Sequence, residues 1–408
     1  MERTGGCDRG RTRRTAIRYC GAVAGGGLLA GCLGEGDDEA PSNSTEPEPA
    51  TTDSAAEGAG YSVTMSPVGT VEFERPPETA TVYDATWADM LVGLGRGDAV
   101  LSLGHPENFY AGYYDQLDGV SFEPGDLAAL YNDGLDKEQF YELDADVHHL
   151  DPVNIGYSGW SGWSMTDVDE IEAQVGPFVA NRLSRAHAEP PAEYDGGYEY
   201  YTLWELTEKI GRVYQKADRA AELKAIRDEL VADITAALPP ASERPSVGLV
   251  VFSPDTDSFS PYKIDAPGYG KAQYRPFDVE DAFADSDKTY AENYEGSYDV
   301  EGLLEVDPDV IIHNWDIEPS DRTRAMREFF ADDPVARELT AVRTDRVYVG
   351  GTPTQGPITN LFQLEMTAKQ LFPEQFGEWK GVGEHDRDER LFDRDRLASV
   401  ITGGDGNA

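Results

Sequence analysis

LDKEQFYELDADVHH (135–149) and YDVEGLLEVDPDVII (298–312) align without a gap. They share Asp136/Asp299, Glu138/Glu301, Glu142/Glu305, Asp144/Asp307, Asp146/Asp309 and Val147/Val310. In each copy a short amphipathic helix runs through Asp-x-Asp into an apolar strand. Asp136 and Asp299 are suited to N-capping, and Phe140/Leu143 and Leu303/Val306 form the stripe that such a helix buries. Short helices alternating with strands imply α/β lobes with parallel sheets. The interval between the copies is far too long for a solenoid, so the repeat implies two similar lobes.

The surrounding segments extend this plan. A strand is expected over 79–83, a helix over 85–94 and a strand over 99–103. In the second half, strands are expected over 246–252 and 346–349. Between the halves, Ala220, Leu223, Ile226, Leu230, Ile234 and Leu238 recur every three or four residues, which predicts a helix over 218–238 about 30 Å long. Pro239-Pro240 ends it. The expected fold is therefore α/β: two α/β lobes with parallel sheets, joined by one long backbone helix, with a ligand cleft between the lobes. The corresponding boundaries are 61–216 for the N-terminal lobe, 217–238 for the linking helix, 245–376 for the C-terminal lobe and 377–408 for a charged tail, to which the sequence assigns no role.

Composition narrows the function. The 34 basic and 77 acidic residues give a net charge of −43, which would repel nucleic acid along most of the surface. An excess of Asp and Glu spread through every segment, with only nine Lys, suits a surface in molar salt, where screening shortens to about 3 Å. The three cysteines, Cys7, Cys20 and Cys32, all lie within the first 32 residues, so the folded body has no disulfide framework. Thr12-Arg13-Arg14 resembles a twin-arginine export motif, although Ala16 stands where Phe is common. The Ala/Gly-rich run of 21–31 is too short to span a membrane. It ends in Leu29-Ala30-Gly31-Cys32, which resembles a lipobox with Cys32 as the lipidated residue. Residues 1–31 are thus expected to be a twin-arginine lipoprotein signal peptide. Residues 32–60, rich in Pro, Ser, Thr, Gly and acids, are expected to be a disordered acidic tether.

Four stretches together resemble the substrate-binding proteins of ABC importers, specifically the ferric-siderophore and cobalamin group. They are ERPPETATVYDATWADMLVGLGRGDAVLSLGHP (74–106), both halves of the repeat, and ARELTAVRTDRVYVGG (336–351). The resemblance runs from about residue 70 to 376, with the long helix in the place the family has it. It implies two lobes on one backbone helix, a monomer, and partnership with a permease dimer and its ATPase. In that family an exposed glutamate on each lobe docks onto permease arginines. Glu138 and Glu301 hold that position, one per lobe, which suits a two-fold symmetric permease. The implied setting is the outer face of the cell membrane, with the protein anchored by lipid on Cys32.

Ligands of open α/β sheets sit beyond the carboxyl ends of strands. Trp87, His105, Tyr110, Tyr157, Trp160 and Trp163 follow strands in the first lobe. Tyr262, Tyr269, Tyr274 and Trp315 follow strands in the second. Arg182 and Arg185 stand out in a chain poor in basic residues. Rings with cations suit a bulky, partly anionic chelate. The expected ligand is a ferric siderophore-like iron chelate, with cobalamin, haem or a bare metal ion as alternatives. Part of the aromatic set is expected to be core, and at least one of His148 and His149 to be buried and hydrogen-bonded. The histidines lack metal-ligand spacing, so neither a protein metal site nor a cofactor is expected. No nucleophile elbow or phosphate loop is present, so the chain is expected not to be an enzyme. A membrane-tethered secreted hydrolase is the competing class.

Overall fold

The structure, a computed structural model, describes residues 60–284 and 296–404. The expected signal peptide with Arg13 and Arg14, the lipidation site Cys32, all but the last residue of the tether and the final four residues of the tail lie outside the described residues.

The first lobe opens with an antiparallel hairpin, β1 (Tyr61–Met65) and β2 (Gly69–Phe73). Alternation turns Val63, Met65, Val71 and Phe73 into the core. The parallel strands follow: β3 (Ala80–Val82), β4 (Ser102–Leu103), β5 (Ala128–Ala129) and β6 (Val147–His149). β3 pairs with β6 and β4 with β5. Parallel bridges Ala80–Val100 and His148–Phe178 join these pairs and extend them. Helices α1 (Ala85–Gly93), α2 (Lys137–Leu143), α3 (Pro152–Tyr157), α4 (Met165–Gln174) and α5 (Leu203–Val213) pack around them. The linking helix α6 (Ala217–Ala237) buries Ala220, Leu223, Ile226, Leu230 and Ile234, the stripe read from the sequence.

The second lobe contains β7 (Ser246–Ser253), β8 (Ser258–Tyr262), β9 (Glu280–Asp281), α7 (Val300–Val306), β10 (Val310–His313), α8 (Asp321–Asp332), α9 (Thr340–Arg343) and β11 (Val347–Val349). Its sheet runs β11-β10-β7-β8, with β9 beside the start of β7. β8 is antiparallel to β7, so this sheet is mixed where parallel strands alone were expected. Residues 254–257, with Asp257 at φ +47°, are too few for a crossover and can only return the chain as a hairpin.

The repeat builds the same clamp in each lobe. Asp136 Oδ1 accepts from the Glu138 amide at 2.9 Å, and Asp299 Oδ1 from the Gly302 amide at 2.8 Å. Asp144 (φ +45°) and Asp307 (φ +42°) end the helices in the left-handed conformation, which Asp tolerates better than most residues. Asp146 Oδ2 then accepts from the Glu78 and Thr79 amides, and Asp309 Oδ2 from the Ser246 amide. Thr79 Oγ1 and Ser246 Oγ accept from the Asp146 and Asp309 amides in return, each at 3.0 Å. The Asp-x-Asp thus fixes the register between β6 and β3, and again between β10 and β7.

Three further helices complete the described chain: α10 (Pro357–Leu371), α11 (Pro373–Phe376) and α12 (Arg394–Thr402). Every residue of α10 is buried. Its N-terminus is capped from the other lobe. Asp89 on α1 accepts from the Ile358 and Thr359 amides at 3.0 and 3.2 Å, and from the Tyr114 hydroxyl at 2.7 Å. The charged tail returns to the first lobe, where α12 packs on α6 and α1 and buries Leu397, Ala398, Val400 and Ile401. Arg394 pairs with Glu365 of α10 at 3.0 Å, both buried, and its guanidinium lies over the Phe362 and Phe392 rings.

Candidate functional site

A cleft of about 700 Å³ opens between the lobes. Its walls are strand ends, as expected for an α/β sheet. Tyr83, Asp84 and Ala85 follow β3, and Leu103 and His105 end and follow β4. Asn108, Phe109 and Tyr110 continue from there, and Arg182 and Arg185 come from the turn after the Phe178 bridge. Across the cleft lie Trp315, Asp316, Ile317 and Glu318 beyond β10, then Thr352 and Thr354 beyond β11, and Thr359 in the first turn of α10.

Asp84 organises the cationic wall. Arg182 Nε donates to Asp84 Oδ2 at 2.8 Å, and Arg185 Nη1 lies 4.0 Å from Oδ1. Burial alone would raise the Asp84 pKa, but the Arg182 and Arg185 charges outweigh it and hold the carboxyl below its usual value. Asp84 in turn raises Arg182. One carboxylate thus faces two guanidinium groups, leaving a net positive wall in an acidic chain. Asp151, at the end of β6, aims this wall. Its Oδ1 caps α3 through the Val153 and Asn154 amides, and its Oδ2 accepts from the Arg182 amide at 2.8 Å and from the Tyr198 hydroxyl.

Aromatic rings form the rest. Tyr83 lies 4.9 Å from Trp160 and 6.3 Å from His105, and Tyr131 lies 5.9 Å from Trp160 and 5.2 Å from His105, a continuous rim. Burial, with Asp84 nearby, pushes the Tyr83 hydroxyl up to about 12, so it is a neutral donor at neutral pH. On the opposite wall Trp315 is 38% exposed and has φ +81°, a left-handed backbone rarely adopted by so bulky a residue. The Arg185 guanidinium sits 5.8 Å from its ring centre, bridging the lobes. Burial and the facing Glu318 raise the Tyr110 hydroxyl, a second contact across the cleft.

Of the ligand-site residues expected from the sequence, the cleft brings together His105, Tyr110, Arg182, Arg185 and Trp315. Trp160 stands behind Tyr83, its indole held by Asn154 Oδ1 at 3.1 Å, and Tyr157 lies outside the rim beside Tyr194. Trp87 is core: it is the third residue of α1, and its ring meets His149 rather than the cleft. Trp163 is buried too, donating to the Leu135 carbonyl at 2.8 Å and packing on Phe140. Tyr262, Tyr269 and Tyr274 form a buried layer behind the wall, with the Tyr274 hydroxyl donating to the Gly350 carbonyl at 2.6 Å. The residues missed were Tyr83, Asp84, Asp316, Glu318 and the threonines. Tyr83 counts as the last residue of the strand expected over 79–83, which ends at Val82, and Asp84 comes next, so the carboxyl end of that strand already held both.

His148 and His149 are both fully buried. His149 is held by the Val179 carbonyl at 2.7 Å and the Tyr214 hydroxyl at 2.9 Å, whereas neither nitrogen of His148 has a partner among the described residues. Glu138 and Glu301 are exposed in the first turns of α2 and α7. Among the described residues no three His, Cys, Asp or Glu converge as metal ligands, and no helix is long and apolar enough to cross a membrane.

Residues 178–354 match the model of the periplasmic binding protein family. Over that stretch the chain is similar to the periplasmic binding proteins, and two α/β lobes about a cleft agree with that likeness. Among solved structures, the chain is similar to a periplasmic binding protein of Veillonella parvula (14% identity, 80% of this chain and 94% of that one, TM-score 0.55). It is similar also to the petrobactin-binding protein YclQ of Bacillus subtilis (16%, 77% and 97%, 0.53). A third is the iron uptake ABC transporter substrate-binding protein PiuA of Streptococcus pneumoniae (13%, 74% and 96%, 0.54). At these identities the likeness establishes the fold. No curated protein matches the chain in sequence.

Proposed function

We propose that the chain is the substrate-binding component of an ABC importer that captures an iron chelate of the ferric-siderophore type and delivers it to the permease. The observation that carries this reading is one wall of the cleft, on which Arg182 and Arg185 outnumber Asp84 beside Tyr83, His105 and Tyr110, while Trp315, Asp316 and Glu318 face it from the other wall. Guanidinium groups match carboxylate, catecholate or hydroxamate oxygens, and the rings cover the flat faces of a chelate. The volume suits a ligand far larger than a bare ion. Likeness to the iron-uptake and petrobactin-binding proteins supports the same reading. Glu138 and Glu301, one on each lobe, are proposed to dock on permease arginines, and Cys32 to carry the lipid that holds the protein at the outer face of the membrane. The acidic surface is proposed to be an adaptation to high salt.

The test is a titration of the purified protein with ferric hydroxamates, ferric catecholates, cobalamin and haem while indole fluorescence is followed. Trp315 on the wall and Trp160 behind Tyr83 should report binding as a saturable quench. Saturation by cobalamin or haem alone would replace the siderophore reading, and no response to any of them would refute the chelate reading.

A further inference from the structure

The two walls of the cleft carry opposite charge. On the first, Arg182 and Arg185 exceed Asp84, and the balance is positive. The facing wall runs from Trp315 to Glu318 and on to Thr352, Thr354 and Thr359. It holds two carboxylates and no Lys, Arg or His.

The two carboxylates are placed differently. Asp316 is engaged by its own lobe: its Oδ2 accepts from the Ser320 hydroxyl at 2.6 Å and from the Thr323 hydroxyl, and lies 3.0 Å from His313 Nδ1. Burial would raise the Asp316 pKa, but the hydrogen bonds from His313, Ser320 and Thr323 outweigh it and hold the carboxyl below its usual value. It is a fixed negative charge on this wall. Glu318 is exposed and faces the Tyr110 hydroxyl across the cleft. No Lys or Arg among the described residues pairs with it. One phenol answers a single lone pair of the carboxylate and none of its charge.

Elsewhere on this acidic surface water solvates such groups. A ligand that fills the cleft displaces water from Glu318, and that costs affinity unless the ligand brings a donor or a cation in its place. A chelate anionic all round would suit Arg182 and Arg185 and be repelled by Glu318 and Asp316. The opposed walls therefore favour a ligand with two unlike ends.

We propose that Glu318 is a specificity-determining residue, receiving a protonated amine on the periphery of the chelate while Arg182 and Arg185 take its metal-binding oxygens. This rests on the chelate reading above and narrows it to amine-bearing chelates.

The test compares a ferric trihydroxamate carrying a terminal primary amine with its N-acetylated and N-succinylated forms, at one fixed salt concentration. An amine-bearing ferric catecholate and its N-acetylated form are run beside them, and the preference is read on whichever core binds. Dissociation constants are measured for the native chain, Glu318→Gln and Glu318→Lys. Glu318→Gln keeps an acceptor for Tyr110 and loses only the charge, and the exposed position should leave folding intact. The native chain should bind the amine chelate about tenfold more tightly than the acetylated one, the worth of one charge-assisted hydrogen bond. Glu318→Gln should abolish that preference, and Glu318→Lys should favour the succinylated form. A native ratio near one, or a ratio unchanged in Glu318→Gln, would overturn the proposal and leave the chelate reading standing. Absence of binding by every probe would overturn the chelate reading itself, and this inference with it.

Discussion

Replacing Asp89 with Ala removes the group that caps α10 from the opposite lobe. Four donors then lose their acceptor: the Ile358 and Thr359 amides, the Thr359 hydroxyl and the buried Tyr114 hydroxyl. Loss of an N-cap costs about 1 kcal/mol, and a buried hydroxyl left unpaired costs about 1–3 kcal/mol. Together these come to about 3 kcal/mol. With an unfolding entropy of about 2 cal/mol/K per residue, a folded body of this size should lose about 4–5 °C in thermal midpoint. A pH scan separates the charge from the cap. Burial raises the Asp89 carboxyl to about 6, although Tyr114 and the α10 amides pull it back down. A carboxyl with a folded-state pKa above its unfolded value contributes stability below about pH 4, and loses it as pH rises through 6. Asp89→Asn cannot titrate, so the native chain should lose stability relative to it by up to about 3 kcal/mol over that window. Calorimetry from pH 4 to 8 on the three proteins decides. A midpoint loss under one degree for Asp89→Ala would refute the trans-capping account, and parallel native and Asn curves between pH 4 and 6 would refute the raised carboxyl.

Three other outcomes follow from the structure. His148, wedged between Phe140 and Phe178, is lowered by burial to about 3, and His149 to about 4. Their stabilising contribution is present above pH 6.5 and lost as pH falls toward those values, so His148→Phe should flatten the acid side of a stability-versus-pH curve and raise stability at neutral pH by about 1 kcal/mol. Arg394→Met strands the buried Glu365 carboxylate and should cost about 3–5 kcal/mol in chemical denaturation, whereas the exposed Arg387→Met should change less than 1 kcal/mol. Reversing both charges, Glu138→Lys with Glu301→Lys, should abolish transport in a reconstituted importer and leave ligand affinity unchanged. Transport surviving the double reversal would exclude these residues as the docking pair.

The architecture was legible wherever it depended on local pattern. Asp136, Asp144 and Asp146 recur as Asp299, Asp307 and Asp309 because each lobe needs the same cap, the same left-handed stop and the same strand clamp. The stripe from Ala220 to Ile234 could be read because one helix face is buried along its whole length. Arg182 and Arg185 stood out because cations are rare in this chain. What could not be read depended on contacts between distant segments. Tyr269 and Tyr274 have the same ring chemistry as Tyr83, but only the packing of 269–274 behind the Arg182–Arg185 turn places them in a second layer. Trp87 looked like a site residue because it follows a strand, yet two residues past the cleft-lining Ala85 the first turn of α1 points it into the core. Asp84 was hidden by composition: among 77 acidic residues, one carboxylate between two arginines carries no signal of its own. The tail was opaque because Arg394 finds Glu365 and the Phe362 ring, which lie outside its own segment.

The course of that tail has a mechanical consequence. The chain crosses between the lobes along α6, then comes back through 377–393 to plant α12 on both α6 and α1. A joint spanned by a single rod leaves two bodies free to swivel about its axis. A second span, held at its far end by the buried Leu397, Ala398, Val400 and Ile401 of α12, removes that freedom and leaves mainly a small parting of the two walls. Arg185 and Trp315 should therefore separate and rejoin along nearly one path, so that the opening is selected by the width of a ligand rather than by its handedness.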